Sequence, residues 1–128
     1  MKLLLDTQAF LWWVMDEAAL SSRARQLIQD GASVLYLSAA SAWEISIKAS
    51  LGKLKLSDEP GKVITEQMAA NGIHPLPIQV SHALHVYGLP PHHRDPFDRM
   101  LVAQSQLEDL PIVTPDERIA QYGVQTVW

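Results

Sequence analysis

Short, almost wholly apolar runs separated by helix-length segments constrain this chain more than any other feature. Lys2 to Leu5, Val34 to Leu37, Pro111 to Val113 and Val124 to Val127 read as strands; Ile73 to Ile78, with two prolines, reads as a short marginal one. Between them lie segments with helix punctuation. Ala9 to Met15 can begin a helix, and Ser21-Ser22 caps a second one running to Asp30, with Gly31 as its stop. Ser38 or Ser41 caps another through Leu51, and Asp58-Glu59-Pro60 opens one ending near Asn71-Gly72. A brief helix spans Ser81 to Tyr87, Asp95-Pro96 opens one over Phe97 to Leu107, and Asp116 to Tyr122 forms the last. Apolar strands alternating with helices require a sheet buried on both faces, so the expected fold is α/β: helices on either side of a central parallel sheet.

At 128 residues the chain is long enough for one core but short for two, so residues 1–128 are expected to form a single domain. With 48% hydrophobic and 19% charged residues it can bury a sizeable core and is not a disordered tail. The longest unbroken apolar run, Ala9 to Met15, falls far short of the ~18 residues of a membrane span. The first residues enter a strand without the features of a secretion signal. The absence of cysteine excludes disulfides, zinc knuckles, Fe–S clusters and thiol nucleophiles. A cytoplasmic location is the expectation. The net charge of −4 argues against a general nucleic-acid coat protein, though not against an enzyme that binds a metal between carboxylates.

In open parallel sheets, ligands gather beyond the carboxyl ends of the strands. Asp6 follows the first strand, Glu44 lies two turns into the helix after the second, Asp98 is in the first turn of the Pro96 helix, and Asp116 follows Ile112-Val113. Such carboxylates repel one another unless protons or cations intervene, and oxygen-only donors suit Mg2+ or Mn2+. The chemistry that follows is metal-assisted phosphodiester hydrolysis. Each acid also has a purely structural reading. Ser41-x-x-Glu44 fits a capping box, Asp95 fits a helix N-cap, and Asp116 fits a cap or a turn. Asp6 is hardest to dismiss, because a carboxylate directly after a buried strand is unfavourable unless paired or metal-bound.

The segments Met1-Lys-Leu-Leu-Leu-Asp-Thr, Ser41-Ala-Trp-Glu-Ile-Ser-Ile-Lys, Arg94-Asp-Pro-Phe-Asp-Arg and Val113-Thr-Pro-Asp-Glu-Arg strongly resemble PIN-domain proteins. The likeness is greatest to VapC-type toxins of bacterial toxin–antitoxin pairs, and it runs to the Val124-Gln-Thr-Val-Trp end. The resemblance implies a Mg2+- or Mn2+-dependent ribonuclease on a three-layer α/β/α sandwich with a parallel five-stranded sheet. It also implies a homodimer and a co-expressed VapB-like antitoxin whose tail covers the groove. The family's acidic quartet falls on Asp6, Glu44, Asp98 and Asp116. Thr7 and Thr114 then orient carboxylates or metal waters. Asp98 is preferred over Asp95 because Met100-Leu-Val-Ala matches the family's apolar helix in register. Gln8 stands where close relatives often carry histidine.

Lys48, Arg94 and Arg99 are candidate RNA-phosphate contacts, with Lys53 and Lys55 weaker ones. The ordinary alternative for Lys48 is a helix pair with Glu44. His82, His85, His92 and His93 read as solvated or structural. Trp12, Trp13, Trp43 and Trp128 read as packing residues, although Phe10 to Val14 also suits a partner helix. Two rival functions are a non-catalytic RNA-binding module on the same fold and a phosphotransfer domain with Asp6 as nucleophile. The second wants another aspartate two residues on, where Gln8 stands.

Overall fold

In the computed structural model, which describes residues 1–128, five strands form one parallel sheet in the order β3-β2-β1-β4-β5. The strands are β1 (Lys2–Leu5), β2 (Val34–Ser38), β3 (Ile73–Leu76), β4 (Ile112–Val113) and β5 (Thr126–Val127). The helices are α1 (Thr7–Val14), α2 (Ser22–Gln29), α3 (Ala39–Ser50), α4 (Pro60–Asn71), α5 (Val80–His85), α6 (Pro96–Glu108) and α7 (Glu117–Ala120). The last turn of the segment expected as one helix from Ser81 tightens into a 3-10 turn, Val86–Gly88.

Strand periodicity divides the core in two. Leu3 and Leu5 face a cluster that takes in Leu35, Leu37, Phe10, Ala24, Ile45 and Ile64, from β2 and α1 to α4. Leu4 faces the opposite cluster, with Leu101, Val102, Ile112 and Ile119 from β4, α6 and α7. Leu3, Leu4 and Leu5 are completely buried, at about 2 kcal/mol each. A strand apolar on both faces needs a helical layer on each side, which gives the expected α/β/α sandwich. β3 carries Pro75 and sits at the sheet edge, where the missing N–H breaks no ladder. Gly72 ends α4 in the left-handed conformation, at φ 63°.

Two boundaries differ from the sequence expectation in ways that bear on the site. α1 begins at Thr7 rather than Ala9, because the Asp6 side chain caps it by accepting from the Gln8 and Ala9 N–H groups. α3 is capped by Ser38, whose hydroxyl accepts from Ala40 N–H at 3.0 Å. The Ser41–Glu44 capping box therefore does not form, and the Glu44 carboxylate is released from any helix-start duty.

The chain leaves β1 towards β2 and β3 on one side, then crosses back to β4 and β5 on the other. The crevice beyond the carboxyl ends of β1 and β4 is thus the topological switch point of the sheet. Leu5 is in register with both Leu37 and Val113, so Asp6, Ser38 and Thr114 emerge level at this rim.

Candidate metal centre

Asp6 is built into the rim from both sides. Its N–H donates to Val113 O at 3.2 Å, and its Oδ1 accepts from the first turn of α1. Its Oδ2 accepts from the Thr114 hydroxyl, and Thr114 Oγ1 in turn accepts from Asp116 N–H at 3.0 Å. Thr114 therefore staples the end of β1 to the loop after β4. Burial pushes the Asp6 carboxyl above its ordinary range, against the downward pull of its hydrogen bonds from Thr114, Gln8 and Ala9.

Asp116 caps α7, its Oδ1 accepting from Arg118 N–H at 2.9 Å. Asp95 caps α6, its Oδ1 accepting from Phe97 N–H at 2.8 Å and Asp98 N–H at 3.1 Å. That is the structural role expected of Asp95. Asp98 lies one turn into α6, and its carboxyl is pushed up to about 8 by burial first, then by Asp95, Asp6, Glu44 and Asp116. Glu44 is 5% exposed, with Oε2 accepting from Lys48 Nζ at 2.8 Å and Oε1 buried without any partner. The Glu44 hydrogen bond holds the Lys48 ammonium above its usual range.

These groups meet. Asp6, Glu44, Asp95, Asp98 and Asp116 line one cavity of about 280 Å³, with Lys48 and Thr7 also on its wall. Five carboxylates against one ammonium leave a charge excess that protons or a cation must relieve. Burial raises Asp6 and Asp98 first, with the neighbouring carboxylates adding to the rise at Asp98, and the orphaned Glu44 Oε1 is an unfilled acceptor beside them. An all-oxygen donor set of this kind fits a hard divalent cation.

Other expected residues make contacts different from those expected. The Thr7 hydroxyl donates to Ser41 Oγ at 2.8 Å rather than to a carboxylate, which fixes α3 against the start of α1. Arg99 turns away from the cavity. Its guanidinium donates to Pro90 O, Val86 O, Leu89 O and the Tyr122 hydroxyl, which ties residues 86–90 to α6. Arg94 is exposed on the loop leading into α6. Trp12, Trp13 and Trp128 pack on the first core cluster, while Trp43 is exposed and stands edge-on to Phe97 at 5.2 Å.

His93 was not expected here. It is buried, its Nε2 hydrogen-bonds Asp116 Oδ2 at 3.0 Å, and the same nitrogen lies 3.1 Å from Asp98 Oδ2. His93, Asp98 and Asp116 each place a donor atom within 4.8 Å of the others. The only sequence signal was its place in a proline-stiffened loop two residues before the Asp95 cap.

The chain matches the PIN domain family over residues 3–125, and it belongs to that family. Among curated proteins it is 36% identical over 64 residues to Ribonuclease VapC16 of Mycobacterium tuberculosis (strain ATCC 25618 / H37Rv). That alignment covers 50% of this chain and 45% of the relative, so the chain spans about half the length of the curated relative it matches. Among solved structures it resembles VapBC2 from Rickettsia felis bound to a DNA fragment from its promoter, with TM-score 0.72, 9% identity, and 99% and 98% of the two chains covered. FitAcB from Neisseria gonorrhoeae follows, with TM-score 0.65, 18% identity and coverage of 100% and 97%. A toxin–antitoxin complex from Klebsiella pneumoniae has TM-score 0.64, 16% identity and coverage of 98% and 96%. At these identities the structural matches speak to the fold. No helix is long and apolar enough to cross a membrane.

Proposed function

We propose that this chain, as a single domain of residues 1–128, is a VapC-like endoribonuclease that hydrolyses RNA phosphodiester bonds with a divalent metal, Mg2+ or Mn2+, at the Asp6–Glu44–Asp98–Asp116 cavity. The observation that carries the reading is the Glu44 Oε1, buried and without a partner on the wall of a carboxylate cavity at the sheet's switch point. The relative named a ribonuclease supports the same chemistry.

A bound divalent ion supplies a Lewis acid for the phosphate and for an attacking water. Asp6, Asp98 and Asp116 would hold it. Thr114 fixes the Asp6 carboxylate, and the α7 N-terminus fixes Asp116, so both ligands are oriented before any ion arrives. Glu44 Oε1 has the free lone pairs to orient the nucleophilic water and accept its proton. Lys48 balances Glu44 and sets a cation on the wall where a phosphate must lie. Exposed Arg94 extends that positive contact along the RNA backbone.

The wider assembly follows from the same reading. The similar solved structures include VapBC2 and a toxin–antitoxin complex, which supports a VapB-like antitoxin as partner, and the proposed setting of the pair is the cytoplasm. Val80, Leu84 and Tyr87, the last 98% exposed, repeat on one face of α5 and the turn after it. Beside them lies an apolar cavity of about 230 Å³ lined in part by Trp43, Phe97 and Met100. An apolar surface of this kind supports a homodimer.

Incubating RNA with the protein in Mg2+ or Mn2+, with and without EDTA, tests the proposal. Asp6→Asn is expected to lower cleavage roughly a hundredfold or more while leaving the fold intact. Undiminished cutting by that variant in EDTA overturns the mechanism. RNA retention without turnover by the native protein in either metal favours the non-catalytic RNA-binding module instead.

A further inference from the structure

His93 is a buried ionisable side chain at the rim that the proposed mechanism leaves unused, and its two ring nitrogens do different things. Nδ1 accepts from Asp95 N–H at 3.1 Å, which fixes the ring against the residue that caps α6. Nε2 is therefore the nitrogen that carries the hydrogen and donates. It lies 3.0 Å from Asp116 Oδ2 and 3.1 Å from Asp98 Oδ2, so one N–H is shared between carboxylates from α6 and from the loop after β4. The backbone of His93 is held as well, its N–H donating to the Tyr122 hydroxyl at 2.9 Å, which also accepts from Arg99 at 3.0 Å. An acceptor, a donor and a backbone anchor leave the ring little freedom.

We propose that His93 is a positioning residue that sets the spacing of the Asp98 and Asp116 carboxylates through its shared Nε2–H. The inference rests on the reading of the cavity as a divalent-metal site. When both carboxylates are ionised, as metal binding requires, they repel, and Asp98 sits on a different element from Asp116, so nothing in the backbone alone keeps their oxygens converging. A donor between them offsets the repulsion and holds the pair at a fixed separation. Direct metal ligation by His93 is the competing role, and the hydrogen-bond pattern opposes it. With Nδ1 occupied by Asp95 N–H, the Nε2 hydrogen must be lost before that nitrogen can ligate.

The two nitrogens can be separated by substitution. An asparagine places its Oδ1 near the Nδ1 position and keeps the acceptor for Asp95 N–H, but it falls short of the carboxylates. A glutamine reaches the Nε2 position with an N–H and gives up the Nδ1 acceptor. Mn2+ affinity, measured by calorimetry without RNA, is expected to fall about 10- to 100-fold in His93→Asn. In His93→Gln it is expected to recover most of that loss. A role confined to the loop predicts the reverse order and overturns the proposal, as does an affinity in His93→Asn equal to or above the native value. Hyperfine coupling of bound Mn2+ to an imidazole nitrogen in the native protein shows direct ligation and also overturns it. Native protein that binds no Mn2+ at all sinks the metal reading itself. Native binding that His93→Asn leaves unchanged sinks only the assignment of His93.

Discussion

Replacing Asp98 with asparagine is expected to stabilise the metal-free protein, although it removes a proposed ligand. Asp98 ionises near 3.8 in the unfolded chain, whereas burial and four neighbouring carboxylates push it to about 8 in the fold. An acid raised by folding favours the native state most below pH 3.8, and that contribution is lost as pH rises to about 8, then stays flat. At about 1.4 kcal/mol per decade of proton affinity, the gap caps the penalty at roughly 6 kcal/mol. The side chain keeps 18% exposure, and solvent and protein relaxation reduce the realistic gain to on the order of 2 kcal/mol. Asparagine carries no charge, and its Oδ1 still accepts from His93 Nε2. Asp98→Asn should therefore raise the melting temperature by about 8 °C at pH 8 in EDTA. At pH 5, about one decade above 3.8, only about a quarter of that gain should remain. Adding Mn2+ should reverse the order, because the native protein alone keeps its full donor set. Equal melting of the two proteins at pH 8, or a gain independent of pH, refutes the argument that crowded carboxylates destabilise the empty rim.

Three further outcomes test separate parts of the structure. Thr114→Val removes the hydroxyl that donates to Asp6 and accepts from Asp116, and it should lower stability by about 2 kcal/mol in urea titrations. Arg99→Ala removes four hydrogen-bond contacts to the 86–90 loop and Tyr122, and it should cost about 2–3 kcal/mol. The salt dependence of RNA binding should be unchanged in that variant; a reduced slope would return Arg99 to the phosphate contacts. Leu84→Asp should halve the mass seen by light scattering without changing the far-ultraviolet spectrum, and an unaltered dimer would place the interface elsewhere.

The histidines show most clearly where sequence reasoning runs short. His92 and His93 are adjacent in the same proline-rich loop, yet His92 is exposed, edge-on to Tyr122 at 4.9 Å, while His93 is buried between two carboxylates. No local pattern separates them, since the choice depends on how the loop meets α6 and α7. Arg99 errs the other way. Its position beside Asp98 suggests a shared site, but one residue along a helix turns a side chain by about 100°, which carries it to the opposite loop.

Read along the chain alone, the apolar runs and helix stops were enough to specify alternating strands and helices, a sheet covered on both faces, and the placement of Asp6 and Asp116 at strand ends. Those features are local: burial of both strand faces and capping at a helix start are written in neighbouring residues. Tertiary structure decided which side chains face one another. It turned the Thr7 hydroxyl to Ser41, sent Arg99 to backbone carbonyls and brought His93 between Asp98 and Asp116. Each of these depends on contacts between residues far apart in the chain or on helix rotation, which only packing fixes.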